Sequence, residues 1–398
     1  MQVSLEPLER RTTPEVARRS ALWALGFRPF YLLASLFAAA SMLLWIAQYS
    51  GLLPFAYVAG PVWHGHEMLF GFTTAVIAGF LLTAVATWTG QPPLRAIPLM
   101  ALALLWVVAR ALMLTPFGVA ATVANALFPV ALAVAVAIPV VRTRNHRNLA
   151  FIGFLGMLAL LALLVNLGSQ GLVQVPQGRV LQIGLDVVLL VMVLMTGRVV
   201  PMFTNNGVPG AGAVRHPVIE ATALATIVLL LIADVLQLDG ISIAVLAGLA
   251  AVAHAVRLYL WKPWRTLRKP LVWILHASCA WIVLHLALRG LSHAGLLAPI
   301  LATHALTVGA IGGLTIGMMT RTALGHTGRL LVAGRLESAM FILIQAAALV
   351  RVAGGLFAPT HHLSNIRLSG LLWSLAFALY AGGYWQVLTK PRLDGRPG

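Results

Sequence analysis

Apolar runs of about twenty residues recur from one end of this 398-residue sequence to the other, each long enough to cross a hydrocarbon core roughly 30 Å thick. A chain built this way has to satisfy its backbone inside lipid, which leaves helices or a closed barrel. The strict apolar/polar alternation of a membrane barrel is missing. Only 9% of the residues are charged and 60% are hydrophobic, whereas a soluble domain carries about a quarter charged residues. The fold class is therefore all-α, a polytopic integral membrane helical bundle. Twelve spans are expected, at 27–49, 64–88, 94–114, 117–141, 148–170, 178–202, 217–237, 241–261, 268–289, 297–320, 330–354 and 364–389. They divide the chain into a cytoplasmic N-terminal segment (1–26), one transmembrane domain (27–389) and a cytoplasmic tail (390–398). Connections such as "GQPPLR" (90–95), "RTRNHRN" (142–148) and "KPWRTLRKP" (262–270) are short and rich in Pro, Gly or charge, and leave no room for a soluble domain.

The formal net charge of +17 invites a nucleic-acid partner, but the placement of the basic residues argues for topology instead. With the N-terminus cytoplasmic, that side collects Arg10, Arg11, Arg18, Arg19, Arg28, Arg95, the clusters at 142–147 and 262–269, and most of the others. Only Arg110, Arg179, Arg289, Arg351 and Arg367 fall outside. This is the positive-inside asymmetry of a multi-pass membrane protein, with the lipid bilayer as partner and no nucleic acid. Residues 1–26 are polar and the first apolar stretch is long enough to remain as a span, so no cleavable signal peptide is expected.

The single cysteine, Cys279, excludes an internal disulfide and any site of several thiolates. A metal would then rest on imidazole, carboxylate or a lone Met. Of twelve histidines, His146 and His216 fall in cytoplasmic loops and His293, His361 and His362 in outer ones, where solvated side chains are the ordinary reading. His64, His66, His254, His276, His285 and His304 lie within spans, and His326 directly after one. Ionisable groups in lipid usually face a bundle interior and serve a partner. At 1.5 Å per residue, His64 and His66 sit within a turn of the outer boundary and His304 about 10 Å below it. His276 and His254 lie about 9–10 Å from the inner one. Two levels of histidine result.

Three blocks concentrate polar chemistry. In "WHGHEMLFGF" (63–72), His64 and His66 point about 200° apart on a regular helix, so either the helix starts between them or each serves a different centre. Glu67 follows and has to be protonated, paired or coordinated, whether to orient an imidazole or to carry protons. In "HALTVGAIGGLTIGMMTRTALGHTGR" (304–329), Gly309, Gly312, Gly313 and Gly317 form a small-residue flank, suited to close helix packing or to a flat macrocycle. "TGRVVPMFTNNG" (196–207) places Arg198 before the helix-breaking Pro201. Arg198, Arg257 and Arg321 all fall on the inner side, where they could hold anionic groups such as haem propionates or lipid phosphate.

Together, "WHGHEMLFGF", "GRVVPMFT" and "MTRTALGHTG", spread over twelve spans, resemble the NnrS family of bacterial inner-membrane proteins. The resemblance covers essentially the whole chain. It implies a role in nitric oxide metabolism or resistance, with haem and copper as cofactors, and places His64, His66, Glu67, Arg198, Pro201, His304, Arg321 and His326 at motif positions. It assigns no histidine to either metal.

Copper accepts imidazole readily and haem iron takes axial histidines. The expected arrangement is an outer copper site of His64, His66 and His304 with Glu67 beside it as a catalytic group. The inner level supplies b-type haem ligands from His254 and His276, with His326 in reserve and Arg198, Arg257 and Arg321 near the propionates. One dinuclear centre is the alternative arrangement. Reduction of nitric oxide needs electrons, and without a "CxxCH" motif these come from an external quinol or cytochrome. Asp186 is a further candidate proton carrier, and Glu337 is expected to pair with Arg335. Three classes of function stay open: a redox enzyme of nitric oxide reductase type, a sensor or scavenger that binds the gas without turnover, and a transporter. The last would show a six-plus-six repeat, and only "HEMLFG" (66–71) against "HALTVG" (304–309) resembles one.

Overall fold

A computed structural model describes residues 21–54, 58 and 60–396. Arg10, Arg11, Arg18 and Arg19 of the N-terminal segment lie outside the described residues. Among the described residues the chain is helical, with no strand. Twelve helical passages follow one another: α1 Phe27–Tyr49, α2 Gly60–Thr89, α3 Ala96–Leu112, α4 Gly118–Arg142, α5 His146–Ser169 and α6 Gln177–Gly207, then α7 Pro217–Val235, α8 Ile241–Leu260, α9 Pro270–His293, α10 Pro299–His326, α11 Arg335–Phe357 and α12 Pro359–Thr389. All but α3, at 17 residues, are long and apolar enough to span a bilayer. The protein is a polytopic helical membrane bundle.

Sequence chemistry sets the helix ends. Pro217, Pro270 and Pro299 start their helices, where the missing N–H costs no hydrogen bond. Gly90 ends α2 in the left-handed conformation, φ 65°, with its N–H on the Ala86 carbonyl, a backbone state that favours glycine. Two ends differ from expectation. Helix α6 runs through Pro201 to Gly207, because membrane helices tolerate an internal proline when neighbours satisfy the freed groups. Helix α10 continues to His326, which is therefore the last helical residue and not part of the following loop.

The start of the first helix and the end of the last lie on one face. The Ala21 N–H donates to the Thr389 carbonyl at 2.8 Å, and the Ala96 N–H to the Trp23 carbonyl at 2.9 Å. Arg28, buried in the first turn of α1, donates to the carbonyls of Leu388 (2.9 Å) and Lys390 (2.8 Å), which joins the first helix to the end of the last. The loops of this N-terminal face carry Arg95, Arg144, Arg147, Lys262, Arg265, Arg268, Lys269 and Arg329. On the opposite face, Arg367 meets Ser50, Tyr49 meets His362, and His293 meets Asp239.

The helices are buried to very different degrees. The most apolar stretch of α2 is 78% buried, with α10, α9 and α6 next, whereas that of α7 is 33% buried. Helices α2, α6, α9 and α10 thus form the interior, and they carry His64, His66, Glu67, Asp186, Arg198, His276, His285 and His304. Two of them depart from regular geometry. Glu67–Thr73 in α2 and Ala305–Gly312 in α10 are π-helical, a local widening that recurs at functional sites.

The glycine flank of α10 is closed by protein. A Cβ at Gly309 would overlap the Trp281 ring, one at Gly313 the Ser278 hydroxyl, and one at Gly317 would lie 2.9 Å from Ile274. Close packing against α9 accounts for these glycines, and they leave no space for a macrocycle. Overpacking a helix contact costs typically 1–3 kcal/mol, so Gly309→Val is expected to lose about that much stability, read as a lower Tm of the purified protein in detergent.

Candidate functional site

Helix α2 presents two chemically different faces. Pro61, His64, Gly65, Met68, Leu69, Phe72 and Thr73 line a cavity of about 400 Å³ that lies towards the face opposite the termini. His66 and Glu67 point the other way, towards α3, α4 and α5. The chain is helical through both histidines, and their separation around the axis decides which neighbour each meets.

On the cavity side, α10 contributes Ile300, Thr303, His304, Thr307, Val308 and Ile311 to the wall across from α2. Residues of both π-helical segments thus border the same space. His304 donates its Nδ1 hydrogen to the Ile300 carbonyl at 2.8 Å, which leaves Nε2 as the ring's free lone pair. His64 stacks on Trp45, with centroids 4.8 Å apart and planes 16° apart, and its buried Nδ1 has no protein partner. Met68 follows His64 by four residues on the same face, and Met42 also lines the cavity. Arg351, Tyr49 and His362 complete the polar part of the lining, with Tyr49 Oη and His362 Nε2 3.3 Å apart.

On the far side of α2 a buried polar chain runs across four helices. Asn166 Nδ2 lies 2.9 Å from His66 Nε2, and His66 Nδ1 lies 2.8 Å from Glu67 Oε1. Arg110 Nη1 lies 2.5 Å from the same carboxylate oxygen, and its other terminal nitrogen bonds Asn125. Gly71 makes this approach possible, since a Cβ there would lie 2.7 Å from Arg110 Nη1. A fully buried carboxylate needs such partners. Both nitrogens of His66 are engaged, so the outer trio of His64, His66 and His304 does not assemble. Glu67 likewise serves Arg110 and does not line the cavity.

The expected inner cluster is also dispersed. His254 points at the Ala223 carbonyl of α7 (3.3 Å), while His276 shares a 2.8 Å hydrogen bond with Thr204 of α6. His326 packs on Phe27, centroids 5.6 Å apart. Arg257 forks onto Glu220 at 3.2 and 2.8 Å and reaches the Val193 carbonyl, Arg198 donates to Asn148, and Arg321 lies over the Phe203 ring. Each arginine is committed to a different partner on a different part of the inner side. Among the described residues no three His, Cys, Asp or Glu side chains form a ready metal cage. Glu337 does not pair with Arg335. It accepts from the Gly334 N–H (2.7 Å) and from Tyr384 (2.8 Å), capping α11.

A second cavity, about 420 Å³, opens beside the first between α6, α7, α9 and α10. Arg289 Nη1 donates to Asp186 Oδ1 and Nη2 lies against Asp234 Oδ2, both at 2.8 Å. His285 donates from Nδ1 to the Ala302 carbonyl, and its buried Nε2 is unpartnered. At the rim, Asp239 accepts from His293 at 2.6 Å, which holds its carboxyl below the usual carboxylate range.

Several of these residues lay outside the reading of the sequence. Arg110, Asn125 and Asn166 are single polar residues in apolar helices, a signal that something must partner them, but not what. His362 reads as an exposed loop residue and lines the cavity only because α12 begins there, against Tyr49.

The fold is that of a many-helix membrane bundle whose central helices border a cavity lined by histidine, methionine and apolar side chains. The NnrS family model, described as "NnrS protein", matches residues 21–392, and the chain belongs to that family. It is a membrane protein of the nitric oxide response. No curated protein and no solved structure matches it.

The Glu67–Arg110 pair generates a stability prediction. Removing one partner of a buried ion pair costs about 3–5 kcal/mol, so Arg110→Met is expected to lower thermal stability severely. Glu67→Gln, which keeps an acceptor for Arg110 and a group for His66, is expected to cost less. Melting curves of the two variants in detergent check the order.

Proposed function

We propose that this chain is an inner-membrane oxidoreductase that binds and turns over nitric oxide at a copper ion held in the central cavity by His64, His304 and Met68. The single observation that carries the reading is the shared cavity wall. Two membrane-embedded imidazoles from different helices face one space, one with Nε2 free behind a backbone-anchored Nδ1 and the other with an unpartnered Nδ1. A ligating histidine typically anchors its second nitrogen in just this way. A thioether beside two imidazoles suits copper better than a hard cation. When bound, copper supplies the redox centre at which nitric oxide is held.

The chain's own residues do the rest. Leu69, Phe72, Leu181, Leu185, Val308 and Ile311 give the cavity an apolar lining that admits a small, neutral, lipid-soluble gas and excludes ions. Trp45 holds the His64 ring by stacking, and the Ile300 carbonyl fixes the tautomer of His304. The N-terminal face, where the basic loops gather, is cytoplasmic, and the cavity opens towards the other side. Reduction of two nitric oxide molecules to nitrous oxide and water consumes two electrons and two protons, the electrons coming from an external quinol or cytochrome. Around His254, His276 and His326 the rings turn to separate neighbours, Ala223, Thr204 and Phe27, and only His276 keeps a buried nitrogen, Nδ1, without a hydrogen bond.

Metal analysis with electron paramagnetic resonance on purified protein, repeated for His64→Ala, His304→Ala and His66→Ala, tests the site. Copper is expected to be lost in the first two and retained in His66→Ala. Retention in His64→Ala and His304→Ala would overturn the assignment. Nitric oxide consumption with a chemical reductant then separates turnover from binding alone, and binding without consumption would make the protein a scavenger or sensor.

A further inference from the structure

At the second cavity, Asp234 and Arg289 in its lining and Asp186 behind Arg289 are groups that the copper reading does not use. Asp186 and Asp234, from α6 and α7, are both buried, at 1% and 8% exposure, and both lean on one guanidinium, that of Arg289 from α9. Asp186 Oδ1 accepts two hydrogen bonds, from Arg289 (2.8 Å) and from Gln182 Nε2 (3.1 Å). Its other oxygen, Oδ2, is buried and has no donor, and Asp234 Oδ2 has no hydrogen bond either, its contact with Arg289 lying off the bonding direction. The two carboxyls are brought together by the one guanidinium that both of them contact at 2.8 Å. Two carboxylates and one guanidinium leave a net negative charge in the bilayer interior, which is costly, and like charges this close cannot both ionise readily. A single proton held by the pair removes both problems.

Location gives this arrangement a use. His285, Asp234 and Arg289 line the cavity together with the rim residues Asp239 and His293, so it reaches the surface on the side opposite the termini. Its inner wall includes Gln182 and Thr303, and these two residues also line the His64–His304 cavity. The unpartnered Nε2 of His285, itself 2% exposed, is a second buried polar group in the same lining.

We infer that Asp186 and Asp234 share one proton and form the loading site of a proton intake, open to the non-cytoplasmic side, that serves the central cavity past Gln182 and Thr303. The delivery half rests on the nitric oxide reading above, and the shared proton does not. The proton leaves the aspartate pair for the reduction product, and the pair is refilled from the surface past His293 and Asp239. Arg289 stays paired throughout, because one carboxylate always faces it.

Infrared difference spectroscopy of the full chain in lipid nanodiscs tests the shared proton without any turnover. At neutral pH the wild type is expected to show the C=O stretch of a buried protonated carboxyl that shifts promptly in D2O. Asp186→Asn, which keeps an acceptor for Arg289 and leaves Asp234 to balance it, is expected to abolish the band. Its nitric oxide consumption should fall at least about tenfold, with copper content and nitric oxide binding unchanged. Gln182→Leu alters no charge and is expected to keep the band but slow consumption. Absence of the band in the wild type, or its persistence in both Asp186→Asn and Asp234→Asn, overturns the shared proton. Unchanged consumption in Asp186→Asn and Gln182→Leu overturns the intake. If the wild type consumes no nitric oxide, the functional reading and the delivery half fall together, and the band alone decides whether the pair holds a proton.

Discussion

A charged or hydrogen-bonding side chain inside a hydrocarbon layer has to find a partner within the protein, and the interior of this bundle is organised around that demand. Glu67, Asp186 and Asp234 each reach an arginine on a neighbouring helix, and His66, His276 and Asn166 each reach a polar atom. These contacts tie α2 to α3, α6 to α9, and α7 to α9. They also explain why the central helices are the polar ones. A side chain that needs a partner is brought to where other helices surround it, while α7 and α8 turn most of their apolar surface outwards.

The same rule separates structure from chemistry along α2. On one face, both ring nitrogens of His66 and the Oε1 oxygen of Glu67 are engaged in the chain from Asn166 to Asn125. On the other, His64 lines a largely apolar space and keeps a buried nitrogen, Nδ1, without a hydrogen-bond partner. The π-helical turns in α2 and α10 fit this division: each adds a residue to the helix beside the cavity and so shifts which side chains face it. The likeness between "HEMLFG" and "HALTVG" falls on two helices that both turn π-helical beside one space.

Much of the fold was legible in advance. Twelve runs of apolar residues, with basic loops on one side, allow little besides a bundle with its ends on a common face, because backbone hydrogen bonding in lipid leaves no other regular choice. The opposed directions of His64 and His66 were legible too, being a matter of 100° per residue. The grouping of side chains into sites was not. His254 and His276 share a depth yet turn towards different helices, and the arginines at 198, 257 and 321 share a side of the membrane yet serve separate partners. Depth follows from counting residues, whereas direction and neighbour depend on how each helix is rotated against the others. His362 makes the same point from the opposite side, an apparent loop residue that helix packing brings to the cavity.

From the sequence alone came the class of protein, the number and course of its helices, the polar residues that had to be accommodated, and the likeness to a family confirmed over residues 21–392. Those properties depend on composition and on local periodicity, which a linear chain carries in full. Tertiary structure decided which histidines share a cavity, that Glu67 belongs to Arg110, that Asp186 and Asp234 divide one guanidinium between them, and that Gln182 and Thr303 stand in the walls of both cavities. Each of these is a contact between helices far apart in the chain, set by packing angles and side-chain fit across the whole bundle, and no local pattern encodes them.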